Sequence, residues 1–319
     1  MNCAICHNGD KNQIFTVREL QLGLGDEFHY QLCSSCGTMQ LMDPPANFSK
    51  YYPNEDYYSF KLEMKSLQTP GYLRTAKTRH LLYGEKNLPG ALLSIGYKEP
   101  EFYAWMRNTH AKFDDAILDV GCGNGSLLTR LYKMGFTNLT GIDPFINEDA
   151  NYGTIKIFKR ELHDVNQTFH VIMMHHSLEH MRKPLEALKK SRDLLDDGGY
   201  VLVRIPVMGN YGWQKYGTNW CGLDAPRHIF IPSEKGMRIL IDQAGFTIDK
   251  LEYDSSDYVI WSSEQYVKGI PLHASNSRMV SKKNSVFSEK QVDNFKKIIL
   301  EENNRNNGDT AAVYLKKAR

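Results

Sequence analysis

Asp119-Val-Gly121-Cys122-Gly123-Asn-Gly125 is the stretch of this 319-residue sequence with the most definite chemistry. Three alternate glycines let the backbone approach a ligand closely, and a helix opening after them turns free N–H groups toward an anion. The spacing is G-x-G-x-G, whereas a dinucleotide site has G-x-G-x-x-G. A carboxylate stands two residues before the first glycine. It would repel a pyrophosphate and suits a ligand that carries a cationic amine. Asp143 closes the next apolar run, where its two oxygens can accept hydrogen bonds from a ribose.

Two further groups of side chains are chemically capable. Cys3 and Cys6 form one Cys-x-x-Cys pair, Cys33 and Cys36 a second, with 26 residues between them. Four thiolates in this pattern close a tetrahedral zinc shell and leave no position for water, which is the mark of a structural site. His7 and His29 lie nearby, but four better ligands are present. The second group follows an apolar run: His175, His176, Glu179 and His180 in HHSLEHM. Further on, VMGNYGWQKYGTNWCGLDAPRHIFIP carries Trp213, Tyr216, Trp220, Asp224, Arg227 and His228. Imidazole is the natural general base near neutral pH. His228 is the leading base candidate, with His180 and His176 behind it. His180 could instead support its loop. The aromatics could stack on a sugar ring or fill the interface with the N-terminal helices. Arg227 could bind an acceptor phosphate, although an ion pair with Asp224 is the simpler use of it. Cys122 and Cys221 read as buried small residues.

These residues need elements to hold them. Residues 116–120, 139–143, 154–158, 169–175, 200–206, 246–254 and 310–318 read as strands. Helical spacing runs through 126–134, 184–195, 233–244 and 289–302. Strand, glycine turn and helix alternate, which predicts a doubly wound α/β sheet with helices on both faces. Upstream, two helices are expected at 70–84 and 98–112, interrupted around Pro89, Gly90 and Gly96. Residues 46–65, with Tyr51, Tyr52, Tyr57, Tyr58 and Phe60, read as an ordered aromatic arm, and Tyr57 and Tyr58 could act as a lid. In 1–45 a hairpin with its turn at Gly23 and Gly25 buries too little surface to fold unaided, so a metal would supply the missing stability. Three units follow: 1–45 a zinc-ribbon-like module, 46–114 the arm and a helical cap, 115–319 a cofactor-binding domain.

DVGCGNG, GIDPF, HHSLEHM and LLDDGGYVLVRIP together resemble the class I S-adenosylmethionine-dependent methyltransferases over roughly residues 115–255. The resemblance implies a Rossmann-like sheet of seven strands in the order 3-2-1-4-5-7-6, the last antiparallel. It implies that Asp119, Gly121, Cys122 and Gly123 hold the methionine end of S-adenosylmethionine. Asp143 and Pro144 would hold the ribose, Glu161 and Leu162 border the adenine, and His175 completes the pocket. The cysteine module resembles the zinc-binding segment of sugar C-methyltransferases from deoxysugar pathways, and the PP…YYP…YYSF arm is familiar from methyltransferases linked to bacterial polysaccharides. Those C-methyltransferases carry a further C-terminal domain, for which 319 residues leave no room.

Composition narrows the expected partners. Lys+Arg 39 against Asp+Glu 37 leaves a formal net charge of +2 with no basic run, so no nucleic-acid partner is expected. Mean hydropathy is -0.48 and no long apolar run or signal sequence is visible, which points to a cytoplasmic chain without a membrane span. The expected function is methyl transfer to a sugar or nucleotide sugar in polysaccharide or deoxysugar synthesis. Two alternatives stand beside it: O-methylation of another small metabolite, and a zinc-ribbon nucleic-acid binder with an inactive methyltransferase fold.

Overall fold

A computed structural model describes residues 1–52 and 69–318. Tyr57, Tyr58 and Phe60 lie outside these residues. The chain opens with β1 (Gln13–Arg18), β2 (Glu27–Leu32) and β3 (Met39–Leu41). Three helices follow, α1 (Tyr72–Tyr83), α2 (Leu88–Ser94) and α3 (Glu101–Asn108). The alternating part contains β4 (Ile117–Val120), α4 (Ser126–Met134), β5 (Leu139–Ile142), β6 (Ala150–Asn151), β7 (Ile155–Phe158) and β8 (Phe169–His175). It continues through α5 (Pro184–Leu194), β9 (Leu195–Pro206), α6 (Tyr211–Tyr216), β10 (Phe230–Ile231), α7 (Glu234–Gln243) and β11 (Phe246–Tyr253). The last elements are α8 (Tyr258–Val267), α9 (Glu289–Asn304) and β12 (Thr310–Lys317).

The large sheet has the order β11-β12-β9-β8-β4-β5-β7-β6. Strands β7, β5, β4, β8 and β9 are parallel, and β12 runs antiparallel between β9 and β11. The expected seven-strand order is present. An eighth strand, β6, adds two residues at the edge beside β7, too short to leave a periodic trace in the sequence. Both faces are buried, as the continuous apolar runs require. In β8, Val171 and Met173 pack with Leu128, Leu131 and Met106 from α4 and α3. Ile172 and Met174 point the other way, to Leu188, Met237 and Leu240 of α5 and α7.

Two local readings change. The Pro89-Gly90 break is itself a helix, α2, because Asn87 caps it through a Gly90 N–H bond of 2.7 Å and proline is tolerated in the first turn. Gly90 lets α2 lie directly on α1, since a Cβ there would stand 2.5 Å from the Ala76 carbonyl oxygen. Strand β9 begins at Leu195, before the glycine pair, and its register against β8 jumps from Phe169↔Leu195 to Val171↔Tyr200. The Asp196–Gly199 segment is thus an irregularity within a strand that the sequence reading begins only at residue 200.

The N-terminal strands share a second sheet with the later part of the chain, in the order β1-β2-β3-β10. Met39 pairs with Ile231 and Gln40 with Phe230. Val17, Phe28, Tyr30 and Met39 close a third core with Trp220, Ile231, Ile260 and Val292. This sheet carries the segment that precedes β10, which includes His228. Among the described residues no helix is long and apolar enough to cross a membrane.

Candidate active site

The glycine loop between β4 and α4 is built as its composition demands. Gly121, Gly123 and Gly125 have φ of 77, 50 and 71, in the left-handed region that side chains disfavour. A Cβ at Gly121 would stand 2.6 Å from the Ser177 Cβ, so the loop and the segment after β8 touch through the missing side chain. The Asp143 carboxylate pins the loop: Oδ2 accepts the Gly123 N–H at 3.0 Å and Oδ1 the Phe145 N–H at 2.8 Å. Burial raises its pKa against these two bonds.

A cavity of about 1280 Å³ lies at the carboxyl ends of the parallel strands, where ligands enter open α/β sheets. Gly121, Cys122, Gly123, Asp143, Pro144, Glu161, Leu162 and His175 all line it. Asp119 stands apart from them. It is 3% exposed, behind the wall, and burial, with the charge of Asp143 second, pushes its carboxyl up to about 7. A cationic ligand in the pocket favours the ionised form, so affinity for S-adenosylmethionine should rise with pH through this value. Asp119→Asn should flatten that rise, as calorimetric titrations of both proteins between pH 6 and 8 would show; parallel pH profiles would remove Asp119 from the cofactor's electrostatics.

His175, His176, His180 and His228 line the same cavity. His175 ends β8 with its ring 4.3 Å from that of Trp105, and both ring nitrogens are buried without a hydrogen-bond partner among the described residues. Burial, then Arg204, then His176 hold it well below the ordinary histidine pKa, so it is neutral. The other three histidines gather around Glu179, which is fully buried. His176 Nδ1 is 3.2 Å and His228 Nε2 3.9 Å from Glu179 Oε1. The His180 and His228 rings lie 4.8 Å apart. Burial, then His228, hold His180 below its usual pKa.

The loop that carries His228 is fixed from two sides. Tyr30 Oη donates to the His228 carbonyl at 2.9 Å, and the Ile229 N–H donates to the Glu179 carbonyl at 2.8 Å. The Arg227 side chain is fully buried, with Nη2 3.0 Å from Glu19 and 2.7 Å from Asp224, and Nη1 on the Tyr51 carbonyl at 3.0 Å. The ion pair expected with Asp224 forms, and Glu19 of the N-terminal hairpin joins it. Trp213 packs edge-on against Phe15 at 5.2 Å, and Tyr216 donates to Glu264 at 3.1 Å. Trp213 serves packing against the hairpin and Tyr216 the contact with α8, whereas Trp220 lines the cavity.

Several lining residues fall outside the site residues read from the sequence, Tyr52 among them although it belongs to the expected aromatic arm. Ser177 matters through the missing Gly121 side chain, and Tyr52 stacks on Phe145 with 6.0 Å between ring centroids. Gln21 and His273 reach the cavity wall from distant parts of the chain, with 3.5 Å between their side-chain nitrogens.

Cys3, Cys6, Cys33 and Cys36 form a separate cluster. The Cys3–Cys36 and Cys6–Cys33 sulfurs are each 3.5 Å apart, and none forms a disulfide. Zinc–sulfur bonds of about 2.3 Å in a tetrahedron place sulfurs about 3.8 Å apart, so the set fits zinc.

Similarity to known proteins agrees with this geometry. A family model described as "Methyltransferase domain" matches residues 71–251. The tRNA U34 carboxymethyltransferase of Aeromonas salmonicida is 30% identical over 146 residues, 41% of this chain and 44% of that protein. EEF1A lysine methyltransferase 2 of Danio rerio is 34% identical over 113 residues, 34% of this chain and 44% of that one. This chain therefore spans less than half the length of either relative. Among solved structures, the O-methyltransferase of a trans-AT polyketide synthase of Brevibacillus brevis, in complex with S-adenosyl-L-homocysteine, has a TM-score of 0.42 at 18% identity, covering 76% of this chain and 79% of that one. With more than half of its residues inside the matched region and the glycine loop, sheet order and cavity in place, the chain belongs to the methyltransferase-domain family.

Proposed function

We propose that the chain transfers a methyl group from S-adenosylmethionine to an oxygen or carbon of a sugar or nucleotide sugar, in polysaccharide or deoxysugar synthesis. The observation that carries this reading is the single cavity shared by the glycine loop and the histidine cluster. At about 1280 Å³ it exceeds the 300–1,000 Å³ of an ordinary one-ligand pocket and leaves room for a second molecule. Tyr258 and Phe145 supply faces for a sugar ring, and Asp254, Arg204 and His273 supply polar edges.

The bound cofactor supplies a methyl carbon on a positive sulfur. Gly121 to Gly123 offer backbone to its methionine end, Asp143 and Pro144 border the ribose, and Glu161 and Leu162 the adenine. Glu161 is positioned by its own N–H bond of 3.2 Å to the Asp164 carboxylate. The acceptor gives up its proton at the cluster of His176, Glu179, His180 and His228, and His228 is the member on which the step turns. Holding nucleophile and methyl carbon near contact is the rest of the task.

Labelled S-adenosylmethionine offered with a panel of nucleotide sugars should mark one of them. The curated relatives are named for tRNA and a protein lysine, so the same assay includes tRNA and protein. Label there, with none on any sugar, would overturn the sugar reading.

Zinc at the four cysteines is part of the proposal, with a structural role. Cys33→Ser should lower the zinc content below one equivalent and destabilise the hairpin sheet, seen as a fall in melting temperature. Unchanged zinc content by elemental analysis would remove the assignment.

A further inference from the structure

Glu179, His180 and His228 bring three metal-donor groups to one space, where His176 Nδ1 already lies 3.2 Å from Glu179 Oε1. His228 Nδ1 is 2.8 Å from the Gly222 carbonyl, and His180 Nδ1 is 2.9 Å from the Arg227 carbonyl. A carbonyl oxygen only accepts, so both Nδ1 atoms carry the proton, and each neutral ring keeps its lone pair on Nε2. One ligand atom from each of Glu179, His180 and His228 lies within 4.8 Å of the other two. Glu179 is fully buried, and its Oε2 has no hydrogen-bond partner among the described residues. The Nε2 lone pair of His228 thus faces a buried carboxylate, and a positive charge between the two would relieve their repulsion. A proton is a poor filler: at 3.9 Å, His228 Nε2 and Glu179 Oε1 are too far apart to share one. Two donors around one metal ion, each at about 2.1 Å, stand roughly 3–4 Å apart.

Charge points the same way. Glu19 and Glu179 are fully buried carboxylates and Asp224 a partly exposed one, and Arg227 is bound to Glu19 and Asp224 but not to Glu179. Arg227 thus leaves the buried Glu179 with no guanidinium or ammonium partner among the described residues, and a cation beside it would offset its charge. Asp224 Oδ2, 3.8 Å from His228 Nε2, is within reach as a further ligand.

We propose that Glu179, His180 and His228 bind a divalent transition-metal ion, of the zinc, cobalt or manganese kind, at the acceptor end of the cavity. This rests on the reading that the cluster activates the acceptor, and it names how. An acceptor hydroxyl bound to the ion would lose its proton to His176, the member of the cluster that is not a ligand. The resulting oxygen forms a bond to the methyl carbon as the carbon–sulfur bond breaks, and the electron pair of that bond stays on sulfur, leaving a neutral thioether. His228 then serves as a ligand and not as a free base.

The test is a titration of Co²⁺ into the full chain with its four-cysteine site filled by zinc. One equivalent should bind, with ligand-field absorption and without the thiolate charge-transfer band that cysteine ligation gives. Binding should weaken at least tenfold in Glu179→Gln and in His228→Asn, the second being at the edge of the cluster and the safer fold. Thermal melting and zinc content keep misfolding apart from ligand loss. No binding to the native chain, or equal binding in a folded His228→Asn protein, overturns the site. Calorimetry with S-adenosylmethionine is run in parallel, because its failure would strike the methyl-donor reading while leaving the metal site standing.

Discussion

The His228→Ala protein should bind S-adenosylmethionine as the native chain does and transfer methyl groups roughly 10²–10⁴ times more slowly, the usual weight of a group that manages an acceptor's proton. The separation follows from placement. His228 belongs to the segment held by β10 and Tyr30, while the proposed cofactor contacts come from the loops after β4, β5 and β7 and from the end of β8. The measurement is single-turnover transfer with the cofactor saturating, beside calorimetry for the binding step. Native rates in the variant would take His228 out of the chemistry. Equal losses of binding and rate would make it a structural residue.

The second large effect concerns stability. Arg227→Met should cost about 3–5 kcal/mol in urea denaturation, because breaking a buried pair strands its partners. Glu19 would lose its guanidinium partner inside the protein and Asp224 its own close to the surface, and the Tyr51 carbonyl would lose its donor. Glu19 also accepts the Leu22 and Leu24 N–H groups at 2.8 and 3.0 Å, so the hairpin turn would loosen along with the loop of His228. A loss under about 1 kcal/mol would mean that water reaches these groups and that the pair behaves as a surface one. Measuring the Glu19→Gln, Arg227→Met double variant beside the singles would isolate the coupling between hairpin and loop.

The parallel sheet was legible because its signals are local. A run such as FHVIMMH, buried on both faces, has to be apolar at every position, and the helices between the runs carry one apolar side at a period near 3.6. The glycine loop was legible because left-handed backbone at Gly121, Gly123 and Gly125 restricts residue choice in place. The Cys-x-x-Cys pairs announce themselves through ligand chemistry alone. Other features leave no such mark. Helix α8 (Tyr258–Val267) packs several sides, including Ser262, Ser263 and Gln265, so no amphipathic stripe betrays it. The irregular pairing that lets β9 start at Leu195 depends on its partner β8.

At the site, the sequence by itself determined which chemical types were available: an acidic residue before alternate glycines, an aspartate at the end of the next strand, histidines after two strands, four paired thiols. The tertiary structure decided which of them meet. Pairing of β3 with β10 brings the hairpin against the His228 loop, and only then do Glu19 and Arg227, far apart in the chain, form one buried ion pair. The same packing sets His228 beside Glu179 and leaves Asp119 behind the cavity wall. Local conformation is governed by a few neighbouring residues and can be read from them. Distances between side chains remote in sequence depend on how whole elements pack, and no short stretch of sequence contains that information.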